Sequence, residues 1–134
     1  MMMVSTKGRY ALRVMVDLAE TGGGGTYVPL SDIAKRQEIS EKYLETIVSL
    51  LSRSALVESQ RGKSGGYRLS RRPEEYTVGE ILKATEGSFA PVACLDSEKR
   101  PCEKHEKCRT LAMWAGLYDT VDKYLESVSL ADII

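Results

Sequence analysis

Three cysteines near the end of this 134-residue sequence have the most distinctive chemistry: Cys94, Cys102 and Cys108. Their spacing, Cys-x7-Cys-x5-Cys, differs from that of zinc fingers, in which paired cysteines lie about two to four residues apart. Three thiolates on one loop can instead hold an iron–sulfur cluster that completes its coordination elsewhere. His105, the only histidine, lies within the same stretch and is a candidate fourth ligand. The alternative is three unrelated thiols, buried or idle.

Basic residues are the second chemical signal, because they are concentrated in one half of the chain. The sequence has 19 Lys and Arg against 19 Asp and Glu, yet residues 1–72 carry 12 basic and 7 acidic residues. Residues 73–134 carry the reverse, 7 basic and 12 acidic. This asymmetry indicates a polyanion that binds one half only, with a solvated surface as the alternative.

Composition and motifs exclude several classes of protein. With 43% hydrophobic and 28% charged residues, the chain reads as one globular domain and not as a disordered segment. No apolar stretch approaches the ~20 residues of a membrane span, and the first residues lack an apolar signal region. We therefore expect a cytoplasmic protein without a membrane partner. Without a Gly-x4-Gly-Lys-Ser/Thr loop, and with a single histidine that nothing orients, we expect no enzyme.

The elements that must position these residues begin with three predicted helices. Apolar residues recur at helical spacing in a first helix at about 8–20. Residues 27–29 are expected to be extended, and Ser31 to cap a second helix. Ser40 is the expected N-cap of a third helix, from about residue 41 to 53. Two helices separated by a tight break are typical of a helix-turn-helix.

A β-hairpin with a glycine-rich tip is predicted next, over about 56–70, and makes the motif a winged one. The helix-turn-helix spans about 31–53. Its second helix keeps its apolar face in the core and frees its other side for base edges in the major groove. Arg61 and Lys63 stand at the tip, where an arginine suits a narrow, electronegative minor groove. Basic residues of the first helix can hold phosphates; they are Lys7, Arg9 and Arg13.

The acidic half has two further predicted helices. Thr77-x-x-Glu80 is a capping-box motif that opens a helix, and Gly87 closes it. Residues 87–107 form the predicted cysteine loop.

The last helix, at about 108–128, has apolar residues at heptad spacing. That stripe can be part of an ordinary core. Because the helix follows a complete small domain, we favour packing of the stripe against a partner helix. The predicted dimer residues are Leu111, Trp114, Tyr118, Val121, Leu125 and Val128, and Leu117 and Tyr124 widen the stripe.

The predicted fold is therefore mainly α (α+β). A winged helix-turn-helix DNA-binding domain spans 1–86, with a small β-hairpin wing. The cysteine loop follows, and a long C-terminal dimerisation helix with its tail spans 108–134.

Three segments resemble a known family: STKGRYA from Ser5, ISEKYLE from Ile39 and RGKSGGY from Arg61. The sequence is similar to the bacterial winged helix-turn-helix repressors that include the iron–sulfur cluster regulator IscR, with NsrR, RirA and CymR. The resemblance implies a homodimer on double-stranded DNA with a pseudo-palindromic operator. It also implies base contacts at some positions and a minor-groove contact at Arg61. The residues expected to touch DNA are Lys7, Arg9, Ser40, Lys42, Tyr43, Glu45, Thr46, Arg61, Lys63, Ser64 and Gly65.

Glu45 is unusual for a residue expected beside phosphate. It can act as a base-reading acceptor for cytosine N4, or as a gate that repels wrong sites. A surface acid without either role is the alternative.

For the cysteines, the resemblance implies an iron–sulfur cluster, with [2Fe-2S] favoured and [4Fe-4S] as the alternative. Cluster-binding members have three cysteines at this place, whereas members like CymR lack the trio. The resemblance does not identify the fourth ligand. Leu111 stands where IscR has a histidine, and Arg9 stands near the position at which NsrR has an acidic residue. His105, a nearby carboxylate, water or a small thiol are the alternatives.

The expected function is a homodimeric transcriptional regulator that senses iron–sulfur, redox or nitric oxide status through this cluster. Two alternatives stay open. One is a repressor of cysteine and sulfur metabolism controlled by a metabolic-enzyme partner. The other is a cluster-free sensor that forms reversible disulfides.

Overall fold

Five helices and one hairpin make up the regular structure of residues 4–22, 25–95 and 107–134, the part that this computed structural model describes. The predicted mainly α fold with a small β-hairpin is confirmed. Helices α1 to α5 span Thr6–Thr21, Leu30–Gln37, Glu41–Arg53, Val78–Glu86 and Leu111–Ser127, and strands β1 and β2 span Val57–Gln60 and Gly66–Leu69. Short 3-10 turns occupy Pro73–Glu75, Ala93–Leu95 and Leu130–Ile133. Within these ranges, no helix is long and apolar enough to cross a membrane.

Helix starts follow the predicted caps, with one exception. The Ser40 hydroxyl accepts a hydrogen bond from the Tyr43 N–H at 3.2 Å, as expected for the N-cap of α3. For α2, the prediction of Ser31 was wrong, because the helix begins one residue earlier, after Pro29. The Pro29 carbonyl accepts from the N–H groups of Asp32 and Ile33 in the first turn, at 3.1 Å and 3.3 Å, and no side chain caps this end.

The predicted capping box at α4 is half formed. The Thr77 hydroxyl accepts from the Glu80 N–H at 3.0 Å, which is one half of the box. The other half is missing: the Glu80 carboxylate does not accept from the Thr77 N–H, because it pairs with the Arg71 guanidinium at 2.6 Å. The helix therefore has its cap, and its acidic residue ties it to the segment after the wing.

The wing has a third, one-residue strand. Strands β1 and β2 are antiparallel, with Val57 opposite Leu69. Val28 exchanges two backbone hydrogen bonds with Tyr67, at 2.8 Å and 2.9 Å, so the segment predicted to be extended pairs with the hairpin. A Cβ at Gly66, where φ is +148°, would overlap the Val28 carbonyl oxygen, so glycine is required there.

The core forms where α1 meets α3 and α4. The predicted apolar face of α1 is buried, and so is that of α3. Tyr76 is fully buried beside them, and its hydroxyl donates to the Leu56 carbonyl at 2.7 Å while accepting from the N–H groups of Ser70 and Arg71. This phenol therefore joins the base of the wing to the core without leaving a polar atom unpaired.

The last helix begins at Leu111, three residues later than predicted, and turns the predicted stripe toward its own chain. Leu125 and Val128 pack on a small cluster around Phe89 and α4. All six residues of the stripe are half-buried within the single chain. The apolar side chains left exposed on α5 are Met113, Leu117 and Tyr124.

The chain end returns to the part of the chain that precedes α5. The Val78 N–H donates to the Val128 carbonyl at 2.8 Å, and the Leu130 N–H to the Tyr76 carbonyl at 3.1 Å. The Leu130 side chain is fully buried in the main core. The tail is therefore part of the core of this domain, whereas the sequence grouped it with the dimerisation helix.

Ala55, after the end of α3, provides a first stability test. Its φ is +59°, in the left-handed region, which costs a non-glycine residue about 1–2 kcal/mol. We expect Ala55→Gly to raise the free energy of unfolding by about 0.5–1 kcal/mol, because glycine adopts this conformation freely. Urea denaturation measures the change. Ala112→Gly, on the exposed side of α5, is the control and should lower the same quantity by about 1 kcal/mol. A loss in both variants would contradict the strain at Ala55.

Candidate nucleic-acid interface

The outer side of α3 is exposed, as the sequence predicted. Leu44, Ile47 and Leu51 are buried, so the helix presents one fixed side to solvent. Exposed on that side are Lys42, Tyr43, Glu45, Thr46 and Ser49. Ser40 is exposed too, and its oxygen already caps the helix, which leaves its hydroxyl proton free to donate.

The wing tip is a tight turn that depends on its glycines for its backbone conformation. Arg61, Lys63 and Ser64 are exposed. The Gly65 N–H donates to the Gly62 carbonyl at 3.0 Å, and a Cβ at Gly65 would overlap the Gln60 carbonyl oxygen. Gly65 is therefore needed to close the turn. It is buried behind the exposed tip, so the prediction that it touches DNA is not supported by its position.

Glu45, Arg61 and Lys63 line one groove of about 570 Å³ between α3 and the wing. The sequence treated the acid and the two cations as separate signals, because 16 positions separate Glu45 from Arg61. A second groove, of about 410 Å³, runs along α3 from Lys42 to Arg53. The two grooves share Glu45. A ligand lying across α3 and the wing therefore meets the Glu45 carboxylate, a hydrogen-bond acceptor, as well as the basic donors Lys42 on α3 and Arg61 at the wing tip.

Seven basic side chains of α1, α3 and the wing tip form no ion pair with a carboxylate within the described ranges: Lys7, Arg9, Arg13, Lys42, Arg53, Arg61 and Lys63. Lys35, Lys107 and Arg109 share this property. Arg68 and Arg71, by contrast, pair with Glu58 and Glu80 at 2.8 Å and 2.6 Å. Cations without an internal partner are available to phosphate.

A buried carboxylate joins α1 to the helix-turn-helix. Asp17 is 3% exposed and accepts from Arg36 at 3.0 Å and 2.8 Å and from the Gln37 amide at 2.9 Å. Burial alone would raise the pKa of the Asp17 carboxyl, but hydrogen bonds from Arg36, Gln37 and Thr21 and the charge of Arg36 hold that pKa below its ordinary value. The packing of α2 against α1 thus depends on an ionised Asp17.

We expect Asp17→Asn to lower the free energy of unfolding by about 1–3 kcal/mol at pH 7, because the guanidinium loses its charged acceptor. A carboxylate with a depressed pKa stabilises the fold above its unfolded pKa of about 3.9 and loses that effect as the pH falls through the folded value. The gap between wild type and variant should therefore shrink below pH ~4. Urea denaturation across pH measures it, with the exposed Glu20→Gln as control. A gap that stays constant down to acid pH would contradict the ionised pair.

Arg13, which the sequence predicted to hold phosphate, also forms contacts within the chain. Its Nε donates to the Gln37 Oε1 at 3.1 Å, its Nη2 also donates to the Gln37 carbonyl, and its guanidinium lies 5.0 Å from the centroid of the Tyr10 ring. Two of its donors are thus used within the chain. The expectation of phosphate binding in α1 applies to Lys7 and Arg9, which are in its first turns.

Two of the three cysteines lie in the described ranges. Cys94 is half-buried in the 3-10 turn after α4, and Cys108 is exposed shortly before α5. The Thr110 hydroxyl is 3.3 Å from the Cys108 sulfur, and hydrogen bonds from Thr110 lower the pKa of that thiol. Cys102 and His105 lie outside the described residues. Among the residues that are described, no group of three or more His, Cys, Asp or Glu is arranged to hold a metal ion.

A helix-turn-helix with a hairpin wing, whose outer helix and tip carry unpaired cations, defines a winged helix-turn-helix DNA-binding protein. The family model of Rrf2, described as an iron-dependent transcriptional regulator, matches residues 4–134. The chain belongs to the Rrf2 family.

Individual relatives agree with this membership. The HTH-type transcriptional regulator IscR of Aliivibrio salmonicida is 38% identical over 133 residues, which are 99% of this chain and 77% of that protein. Among solved structures, CymR, the global cysteine regulator of B. subtilis, has a TM-score of 0.81 at 37% identity, covering 99% of this chain and 96% of that one. The IscR of T. potens has a TM-score of 0.75 at 34% identity, covering 98% and 85%. These relatives are regulators, so the resemblance and the expected absence of enzymatic activity are both confirmed.

Proposed function

We propose that this chain is an operator-specific regulator in which α3 reads the major groove and the wing tip enters the minor groove. The observation that carries the proposal is the groove shared by Glu45, Arg61 and Lys63. A helix with an acceptor and a hairpin with cations, side by side, match two neighbouring grooves of B-DNA. Lys7 and Arg9 would hold phosphates and set the register.

Binding-site selection from random DNA with the wild-type protein tests this function. We expect an enriched sequence with two inverted half-sites, because a two-fold dimer presents two copies of α3. Such a dimer would use the exposed Met113, Leu117 and Tyr124 of α5 beside the half-buried stripe. Binding without any enriched sequence would contradict operator reading.

Glu45→Ala is expected to change which sites are bound more than how tightly they are bound. A carboxylate accepts from cytosine N4 and disfavours bases that offer acceptors, so its removal relaxes the preference at one position of each half-site. The same selection, repeated with the variant, measures this. Glu41→Ala, also exposed on α3, is the control. An unchanged preference at every position would contradict the role of Glu45.

We further propose that Cys94, Cys102 and Cys108 hold an iron–sulfur cluster, [2Fe-2S] rather than [4Fe-4S], with His105 as a candidate fourth ligand. The donor set fits such a group, since three thiols fall within 15 positions and Cys108 is exposed with a lowered pKa. When bound, the cluster would supply a site that reacts with oxidants or nitric oxide, or reports iron–sulfur supply. The cysteines lie between α4 and α5, so their ligation would bias how the two helices sit together.

The cluster is tested by purifying the protein without oxygen and recording its visible spectrum with iron and sulfide counts. We expect a coloured protein with equal iron and sulfide, and loss of colour in Cys108→Ala. Lys123→Ala, exposed on α5, keeps all three thiols and should keep the colour. A colourless protein that resists reconstitution would contradict the cluster and leave DNA binding intact.

A cluster-free thiol sensor is the second candidate, favoured by the exposure of Cys108 to solvent oxidants. It predicts a colourless protein whose DNA binding responds to peroxide and recovers with a reductant.

Control by a metabolic-enzyme partner is the third candidate, and the likeness to CymR favours it. It predicts DNA binding that ignores both iron and oxidants.

A further inference from the structure

We propose that Tyr10 and Arg13 are positioning residues that fix the side chain of Tyr43 on the DNA-reading helix and thereby set operator specificity. The inference rests on the proposed DNA-reading role of α3. Neither residue is needed to touch DNA, because both act through Tyr43.

Tyr43 stands in the first turn of α3 and is 36% exposed, so its ring has space to rotate. Tyr10 limits that freedom: the two ring centroids are 5.8 Å apart and the planes are inclined by 87°, an edge-to-face pair. This geometry is favourable for aromatic rings and specific in direction. The ring of Tyr43 therefore has a preferred position before any ligand arrives.

Tyr10 is in turn held by Arg13. The Arg13 guanidinium lies 5.0 Å from the centroid of the Tyr10 ring, within the range of a cation–π contact. Arg13 is kept there by Gln37 at the end of α2, through its Nε at 3.1 Å and through the Gln37 carbonyl. The Tyr10 ring thus contacts both a guanidinium and a second ring.

The Gln37 amide can take only one orientation in this arrangement. Its nitrogen donates to the Asp17 carboxylate at 2.9 Å, and an ionised carboxylate only accepts. The amide oxygen is consequently turned to Arg13. A buried charge in α1 thereby fixes, through Gln37, Arg13 and Tyr10, the ring on the reading helix.

Such an arrangement matters for recognition because a side chain that is already ordered loses less entropy on binding. Sequence-specific contacts require Tyr43 in one position, whereas phosphate contacts tolerate several. Loss of the support should therefore reduce operator binding and leave binding to random DNA unchanged.

A double-mutant cycle on the full-length protein tests the proposal, with the operator selected by the wild type and a random duplex as probes. We expect Tyr10→Leu to weaken operator binding by about 2- to 12-fold, the effect of one aromatic pair, with little change on the random duplex. Tyr10→Phe keeps both ring contacts and should bind like the wild type. In a Tyr43→Ala background, Tyr10→Leu should have no further effect.

Persistence of the Tyr10→Leu effect in the Tyr43→Ala background would overturn the proposal, because Tyr10 would then act on DNA or on the fold directly. Equal operator binding by Tyr10→Leu and wild type would overturn it as well. Should Tyr10→Leu fail to fold, Arg13→Lys replaces it, since lysine keeps the charge and loses the planar contact. Failure of the wild type to select any sequence would instead reject operator reading itself.

Discussion

Replacing Leu130 with alanine is expected to lower the free energy of unfolding by about 2–5 kcal/mol, a large fraction of the stability of a domain of this size. The side chain is fully buried in the main core, among residues of α1 and α4 and beside Tyr76. The lost apolar contacts and the cavity left behind both contribute. The backbone bond between the Leu130 N–H and the Tyr76 carbonyl would stay, so the loss reports the side chain alone.

Urea denaturation at a fixed protein concentration measures this change, because stability of a dimer depends on concentration. Ile134→Ala provides the matched control, since Ile134 is in the same tail and is 51% exposed. Its unfolding midpoint should be close to that of the wild type. Equal midpoints for Leu130→Ala and the wild type would show that the tail is not part of the core.

Replacing Arg61 with alanine is expected to weaken binding to the selected operator by about 1–3 kcal/mol, or about 5- to 150-fold. Arg61 is exposed at the wing tip, forms no ion pair within the described ranges and lines the groove that contains Glu45. An arginine that enters a narrow minor groove contributes both charge and fit, so removing it should affect the operator more than random DNA.

Titration of labelled operator and random duplexes, at one stated salt concentration, measures this difference. Lys123→Ala is the control, because Lys123 is exposed on α5 and pairs with Asp119. It should bind both duplexes like the wild type. Equal weakening of Arg61→Ala on the two duplexes would reduce Arg61 to a phosphate contact.

Features that depend on neighbours in sequence were predictable. The α3 helix, its Ser40 cap and its buried face follow from spacing and from hydrogen bonds within one turn. The hairpin follows from two short strands around glycines. Membership in the family followed from three short segments, because each of these motifs lies within a few consecutive residues of the chain.

Features that depend on distant partners were not predictable. Val28, two residues before α2, forms a bridge with Tyr67, 39 positions away, and the sequence did not reveal this partner. Two residues of the predicted stripe of α5, Leu125 and Val128, pack on Phe89 and α4 of the same chain. A heptad pattern shows that a face is apolar and cannot show which surface covers it.

The sequence by itself determined the elements, the basic reading surface and the cysteine set, because helix caps, periodicity and charge are local properties. The tertiary structure decided which of these residues meet. It brought Glu45 into the groove of Arg61, Leu130 into the core and Tyr10 against Tyr43. Such contacts form when several apolar faces are buried together. No single segment of the sequence specifies which distant side chains then become neighbours.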